Sequence, residues 1–163
     1  MQSLLALAAV HPALSLDAGR TLLIQGLAGG ELYVLESGEL AVERDGVKIA
    51  TISTPGSPVG EMAVILGTAA SATVRAERPT VVRVVRDAAS AIRQDPELSF
   101  RLAWLMANRL DSTSAYLVKL TQQHQGKSEH GLIGAIIAAL HMPARYEEVS
   151  RDDMFSTTPQ PPL

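Results

Sequence analysis

Between Thr21 and Val85 short β-prone runs alternate with brief turn-forming breaks: Thr21 to Gln25, Glu31 to Glu36, Glu39 to Arg44, Val47 to Ile52, Ala72 to Ala76 and Thr80 to Val85. Short runs divided by turn signals in this way predict a compact antiparallel roll. Asp45-Gly46 separates two of the runs. A two-residue Asp-Gly link suits a type I′ hairpin, since both residues tolerate positive φ. After the roll the pattern changes period. Asp95-Pro96-Glu97 reads as a helix start, with Asp95 as N-cap, Pro96 where no amide hydrogen is needed, and Glu97 favourable to the dipole. Helix-compatible residues continue to Gln125, and Gly126 is a natural terminator. At about 1.5 Å per residue the helix is about 45 Å long, more than a small roll covers.

Along that helix Ala103, Met106, Leu110, Thr113, Leu117 and Leu120 recur at alternating spacings of three and four, the seam of a short coiled coil. The seam either meets a second copy or packs on its own roll, and dimerisation is the expectation. A second apolar segment, Gly131 to Met142, predicts a short helix stopped by Pro143. Residues 144–163 mix charges with Ser156, Thr157, Thr158 and three prolines and predict a disordered tail. The class is therefore α+β: a jelly-roll-like antiparallel β-roll (a double-stranded β-helix) over 14–94 with flanking helices. An N-terminal helix occupies 1–13, a long C-terminal dimerisation helix 95–126 and a short helix 127–143.

Composition narrows the function. The chain has 163 residues, 47% of them hydrophobic, enough for one buried core. With no cysteine there is no disulfide, thiolate metal site or thiol nucleophile, compatible with a cytoplasmic location. The net charge of −3 offers no field that would attract nucleic acid or anionic lipid. The opening apolar run lacks a positive flank and stops at His11-Pro12, unlike a secretory signal. No apolar stretch reaches the roughly 20 residues of a membrane span.

No catalytic constellation emerges. Gly26, Gly29 and Gly30 lack the following Lys-Ser or Lys-Thr of a P-loop, and there is no Gly-x-Ser-x-Gly elbow. His11, His124, His130 and His141 all lie outside the predicted roll, so a histidine-built metal centre is not expected. The expectation is a protein that is not an enzyme and carries no cofactor.

The distinctive stretch is Val59-Gly60-Glu61-Met62-Ala63-Val64, a spacer Ile65 to Thr68, then Ala69-Ala70-Ser71-Ala72-Thr73. A short helix opening after Gly60 would present amide hydrogens to an anion, and a carboxylate there can accept hydrogen bonds from sugar hydroxyls. With the glycine-punctuated runs Gln25-Gly26 and Leu32 to Gly38, this stretch resembles the phosphate-binding cassette of the cyclic-nucleotide-binding domain family. That family includes the catabolite-activator and Fnr-type (Crp/Fnr-like) regulators, the regulatory subunits of cyclic-AMP-dependent kinase and cyclic-nucleotide-gated channels. The likeness extends over roughly residues 14–120.

The resemblance implies a regulatory sensor with cyclic AMP or cyclic GMP as candidate ligand. Glu61 would bind ribose. Gly60, Met62, Ala63, Ala70, Ser71, Ala72 and Thr73 would complete the ligand site. On the long helix Arg109-Leu110-Asp111-Ser112-Thr113-Ser114 corresponds to the dimer helix of catabolite-activator proteins, which makes Thr113 and Ser114 candidate base contacts and Tyr116 a neighbour. Thr113 is equally suited to setting coiled-coil register.

Where the family's cassette carries an arginine for the cyclic phosphate, this chain has Ala70. Loss of one partner of a buried charge pair costs roughly 2–5 kcal/mol, so weak binding is expected. Arg75 lies about 16 Å further along an extended run, too far to substitute. The family's transcription factors continue into a winged-helix DNA reader; residues 126–163 have neither its size nor its basic face, so direct DNA binding by this chain is not expected. Output would pass to an effector protein of unknown kind. The alternative is a degenerate domain serving as a ligand-independent dimerisation and docking module.

Overall fold

A computed structural model describes residues 3–123. The chain divides into two compact units, Met1–Asn108 and Arg109–Leu163. The predicted helix over 127–143 and the tail over 144–163 lie outside the described residues.

In chain order the elements are α1 (Leu4–Ala8), β1 (Ala13–Leu16), β2 (Thr21–Leu23), β3 (Leu32–Ser37), β4 (Leu40–Arg44), β5 (Val47–Ile52), β6 (Pro58–Val59), α2 (Glu61–Leu66), β7 (Thr73–Ala76), β8 (Thr80–Val85), α3 (Ala88–Gln94) and α4 (Pro96–Gln123). The strands form two four-stranded antiparallel sheets, ordered β1-β8-β3-β6 and β2-β7-β4-β5. The architecture is the expected antiparallel roll with flanking helices and a long C-terminal helix.

Strand β3 shows why two cores form. Leu32, Tyr33, Val34 and Leu35 are all buried, and successive strand side chains point to opposite faces. Tyr33 and Leu35 join Leu16, Leu40, Val59, Val74, Ala76, Val82 and Val84 in a core shared by the two sheets. Leu32 and Val34 join a second cluster with Leu4 and Ala8 of α1, Val85, Ala88 of α3, and Leu98 and Leu102 of α4. A strand buried on both faces reads as a continuous apolar run, which is how Leu32 to Leu35 stands in the sequence.

Several boundaries depart from the sequence-based expectation. The N-terminal helix occupies only Leu4–Ala8 of the expected 1–13, held at its start by the Ser3 hydroxyl, which accepts the Ala6 amide. By Ala13 the chain is already extended and pairs with β8, Ala13 opposite Arg83. Within the expected roll, residues 88–94 are helical. The Asp45-Gly46 turn forms as predicted, with φ of 52° and 77°, and Arg44 faces Val47 across it. The Asp95 carboxylate caps α4 by accepting the amides of Glu97 (2.9 Å) and Leu98 (3.1 Å), a device worth about 1 kcal/mol.

The face of α4 that meets the roll is formed by Leu98, Leu102 and Leu105 rather than by the seam residues. Ala103, Leu110 and Thr113 are exposed, and Met106, Leu117 and Leu120 are half-buried. Among the described residues no helix is long and apolar enough to cross a membrane.

Candidate functional site

The site is built where the β6–α2 turn passes the start of β3. Gly60 precedes α2 in the left-handed region, φ 87° and ψ −5°. A Cβ there would stand 2.9 Å from the Glu31 main-chain oxygen, 3.5 Å from Leu23 Cδ1 and 3.8 Å from Tyr33 Cδ2. Glycine is therefore required twice over, by the backbone angle and by the close approach to β3. That contact lets the chain turn sharply into α2 and brings Glu61, the first helical residue, inside the fold, where only 4% of it is exposed. A carboxylate so deeply placed is unusual and marks a position whose polar contacts are fixed by the fold.

The rest of α2 alternates between interior and surface. Ala63 is buried, Val64 packs on the second core cluster, and Met62, Ile65 and Leu66 are exposed. Met62 thus contributes its main chain but not a buried side chain to this corner. With six residues, α2 is too short to carry a full helix dipole, so anion attraction here rests on local amides.

Downstream of α2 the chain returns along the loop between β2 and β3. The Ala70 amide donates to the Leu27 carbonyl and the Ala70 carbonyl accepts the Gly26 amide, each at 2.9 Å. Ala70 is 7% exposed. The main chain at this point is committed to the loop. Thr73 opens β7 and its hydroxyl accepts the Gln25 amide at 3.0 Å, so this candidate contact also fastens β7 to β2. Ser71 is exposed and Ala72 half-buried. Gly60 thus lies beside Glu31 at one end of the connection between β2 and β3, while Ala70 and Thr73 bond its other end, at Gly26, Leu27 and Gln25. Thr113 and Ser114 belong to the second unit, where the Thr113 hydroxyl donates to the Arg109 carbonyl at 2.8 Å.

Several cations of the two sheets are engaged in ion pairs. Arg75 forms an ion pair with Glu43 on the neighbouring strand β4, so its guanidinium is already committed. Lys48 pairs with Glu77 at 2.6 Å, and Arg83 bonds Glu36 at 3.0 Å while also donating to the His11 carbonyl at 3.2 Å. The Arg83 guanidinium holds the Glu36 carboxyl below the usual carboxylate range.

A contact that sequence reasoning missed lies beside Gly60: the Tyr33 hydroxyl donates to the Glu31 carboxylate. Burial first, then that hydrogen bond and the charge of Glu31, push the Tyr33 phenol well above its ordinary range. The signal available in the sequence was the spacing Glu31-Leu32-Tyr33, which puts both side chains on one side of a strand.

Residues 13–91 match the family model described as cyclic nucleotide-binding domain. Among curated proteins, the cAMP-dependent protein kinase regulatory subunit of Yarrowia lipolytica is 39% identical over 66 residues, which is 40% of this chain but 17% of that subunit. Among solved structures, a cyclic nucleotide-binding domain from Methylobacillus flagellatus superposes with a TM-score of 0.61 at 25% identity, covering 71% of each chain. The Thermus thermophilus catabolite activator protein gives a TM-score of 0.58 at 22% identity, covering 84% of this chain and 80% of that one.

Proposed function

Residues 13–91 form a domain of the cyclic-nucleotide-binding family, and from that premise we propose that the chain is a non-catalytic regulatory sensor that binds cyclic AMP, cyclic GMP or a related nucleotide weakly and signals through a dimer formed by α4. The single observation that carries this reading is the Gly60–Glu61 turn, in which a left-handed glycine pressed against β3 delivers a buried carboxylate to the start of α2. Glu61 would accept the ribose hydroxyls. The amides of Gly60, Met62, Ala63 and Ser71 would meet ribose and phosphate, with Ala70, Ala72 and Thr73 forming the wall. A cytoplasmic sensor with an effector protein as its output fits this reading.

Calorimetry with cyclic AMP and cyclic GMP tests the ligand. The expected result is saturable heat at one ligand per chain with Kd of roughly 10–1000 μM, about −4 to −7 kcal/mol. Ala70 favours a second reading, a degenerate domain used for dimerisation and docking alone; absence of saturable heat with either nucleotide selects it.

The dimer is supported by the exposed positions on α4, where Leu110 is 49% exposed although it lies in an apolar seam. Sedimentation at tens of micromolar should give twice the chain mass. A monomer at that concentration removes the helix from the signalling scheme.

A further inference from the structure

We propose that the cleft where α1, α3 and the start of α4 meet on the helix-side face of β3 is a second ligand site, for a compact neutral molecule with an apolar body and one hydrogen-bond donor, of the size of a methylphenol. The site is independent of the nucleotide reading. Tyr33 belongs to the core shared by the two sheets, and its ring would stand 3.8 Å from a Gly60 Cβ, whereas Val34 belongs to the cluster on the helix side. Successive strand residues face opposite ways, so the cleft lined by Val34 and the turn at Gly60 occupy opposite faces of β3.

The local chain path explains why the cleft stays open. Helix α1 has five residues and ends at Ala8, and the segment after it is tied down by its main chain. The His11 amide donates to the Ala8 carbonyl at 3.0 Å, and the His11 carbonyl accepts the Arg83 guanidinium at 3.2 Å. On the other side α3 ends at Gln94 and α4 begins at Pro96. These two junctions leave a cavity of about 210 Å³, with Val34, Val85 and Leu98 in its apolar lining and His11, Gln94 and Asp95 in its polar lining. An apolar cavity of about 150 Å³ is enough for benzene, so this one takes a ring with two or three further heavy atoms.

The polar end selects the donor. Asp95 Oδ1 accepts the amides of Glu97 and Leu98 at 2.9 and 3.1 Å, which pins the carboxylate beside a residue of the cavity lining. Among the described residues Asp95 enters no ion pair. An ionised acceptor makes the stronger hydrogen bond to a hydroxyl, and the positive end of α4 at the same point offsets the attraction for a full cation. A neutral donor is therefore favoured. A molecule seated there touches both α1 and α4, fastening the base of the long helix to the N-terminal segment.

Titration of the wild-type chain with para-cresol, followed by amide NMR shifts, tests the site. The expected Kd is about 0.1–1 mM. The shifts should concentrate at Ala8, Val34 and Ala91, which line the cleft, rather than at Gly60 and Glu61. Ala91→Leu puts three more carbons into the cleft while keeping a good helix former in α3, and should weaken binding by more than about tenfold without lowering the melting temperature. Asparagine caps a helix as well as aspartate does, so Asp95→Asn should keep α4 intact yet remove the preference of about fivefold that the wild type shows for para-cresol over its methyl ether. Absence of saturable shifts, shifts centred on Gly60 and Glu61, or an unchanged Kd in folded Ala91→Leu overturns the site. A wild type that binds the ether as tightly as the phenol, or an Asp95→Asn variant that retains the preference, overturns the donor assignment. Should Ala91→Leu fail to fold, the pattern of wild-type shifts decides alone.

Discussion

Gly38→Ala costs the fold about 3–5 kcal/mol, a large part of the roughly 5–15 kcal/mol that holds an ordinary domain together. The residue joins β3 to β4 with φ of 98°, already unfavourable for an L side chain. A Cβ would also fall 2.4 Å from the Thr80 hydroxyl oxygen, 2.6 Å from the Pro79 carbonyl oxygen and 2.6 Å from Thr80 Cα. Two of these three are main-chain atoms that no rotamer change can move. Thr80 cannot retreat cheaply either: it is 2% exposed, its hydroxyl accepts the Glu39 amide at 3.0 Å and donates to the Arg78 carbonyl at 2.8 Å. Backbone strain of about 1–3 kcal/mol adds to overpacking of about 1–3 kcal/mol, and breaking the Thr80 bonds adds more. Urea unfolding followed by circular dichroism reads the loss. A shift below about 1 kcal/mol would mean that the β3–β4 turn relaxes and that the contact with Thr80 is not tight in solution.

Ala70→Arg raises affinity for cyclic AMP by about thirtyfold to a few thousandfold, the inverse of the roughly 2–5 kcal/mol lost when one partner of a buried charge pair is removed. The main chain at position 70 is fixed by its bonds to Gly26 and Leu27, so the new side chain starts from a defined point in the wall of the site. Because Ala70 is buried, the guanidinium must extend along the site rather than stack in place, and an overpacking cost of about 1–3 kcal/mol in stability is expected alongside the gain. Calorimetry with cyclic AMP and adenosine separates the two effects, since a charge pair helps only the nucleotide. An unchanged cyclic AMP affinity in a folded variant would show that the segment after α2 does not face the phosphate.

Strands with a full turn signal at each end were legible from the sequence. Val47–Ile52 and Thr80–Val85 have the bounds their composition predicts, and the Asp45-Gly46 turn follows from two residues that accept positive φ. Strand β1 was missed because Ala13–Leu16 is four residues long, follows Pro12 directly and owes its extended form to a partner some 70 positions later. Helix α3 was missed because it announces itself poorly. It starts at Asp87 in a left-handed conformation without a side-chain cap, and its Ala-Ala-Ser opening carries little periodicity.

The spacing rule on α4 found an apolar seam but not the face that packs, since Leu98, Leu102 and Leu105 are set by where the helix leaves the roll. At the candidate site, the turn at Gly60 was legible because it needs a glycine, and Glu61 was singled out by the resemblance of the stretch that follows. The loop bonds of Ala70 and the Glu31–Tyr33 pair were not, because they join segments whose proximity only the folded chain creates.

The sheet order has a temporal consequence. Among the described residues β8 is the only strand that pairs with β1, and it lies between β1 and β3, so that sheet cannot be completed until the last strand of the roll has been made. At synthesis rates of about 5–20 residues per second, β1 waits roughly 3–13 s for its neighbour. From the moment β3 is made until β8 follows, the nascent chain carries Leu32 to Leu35 with neither of its covering faces complete. The domain therefore closes late and all at once, and its most exposed moment is its own birth.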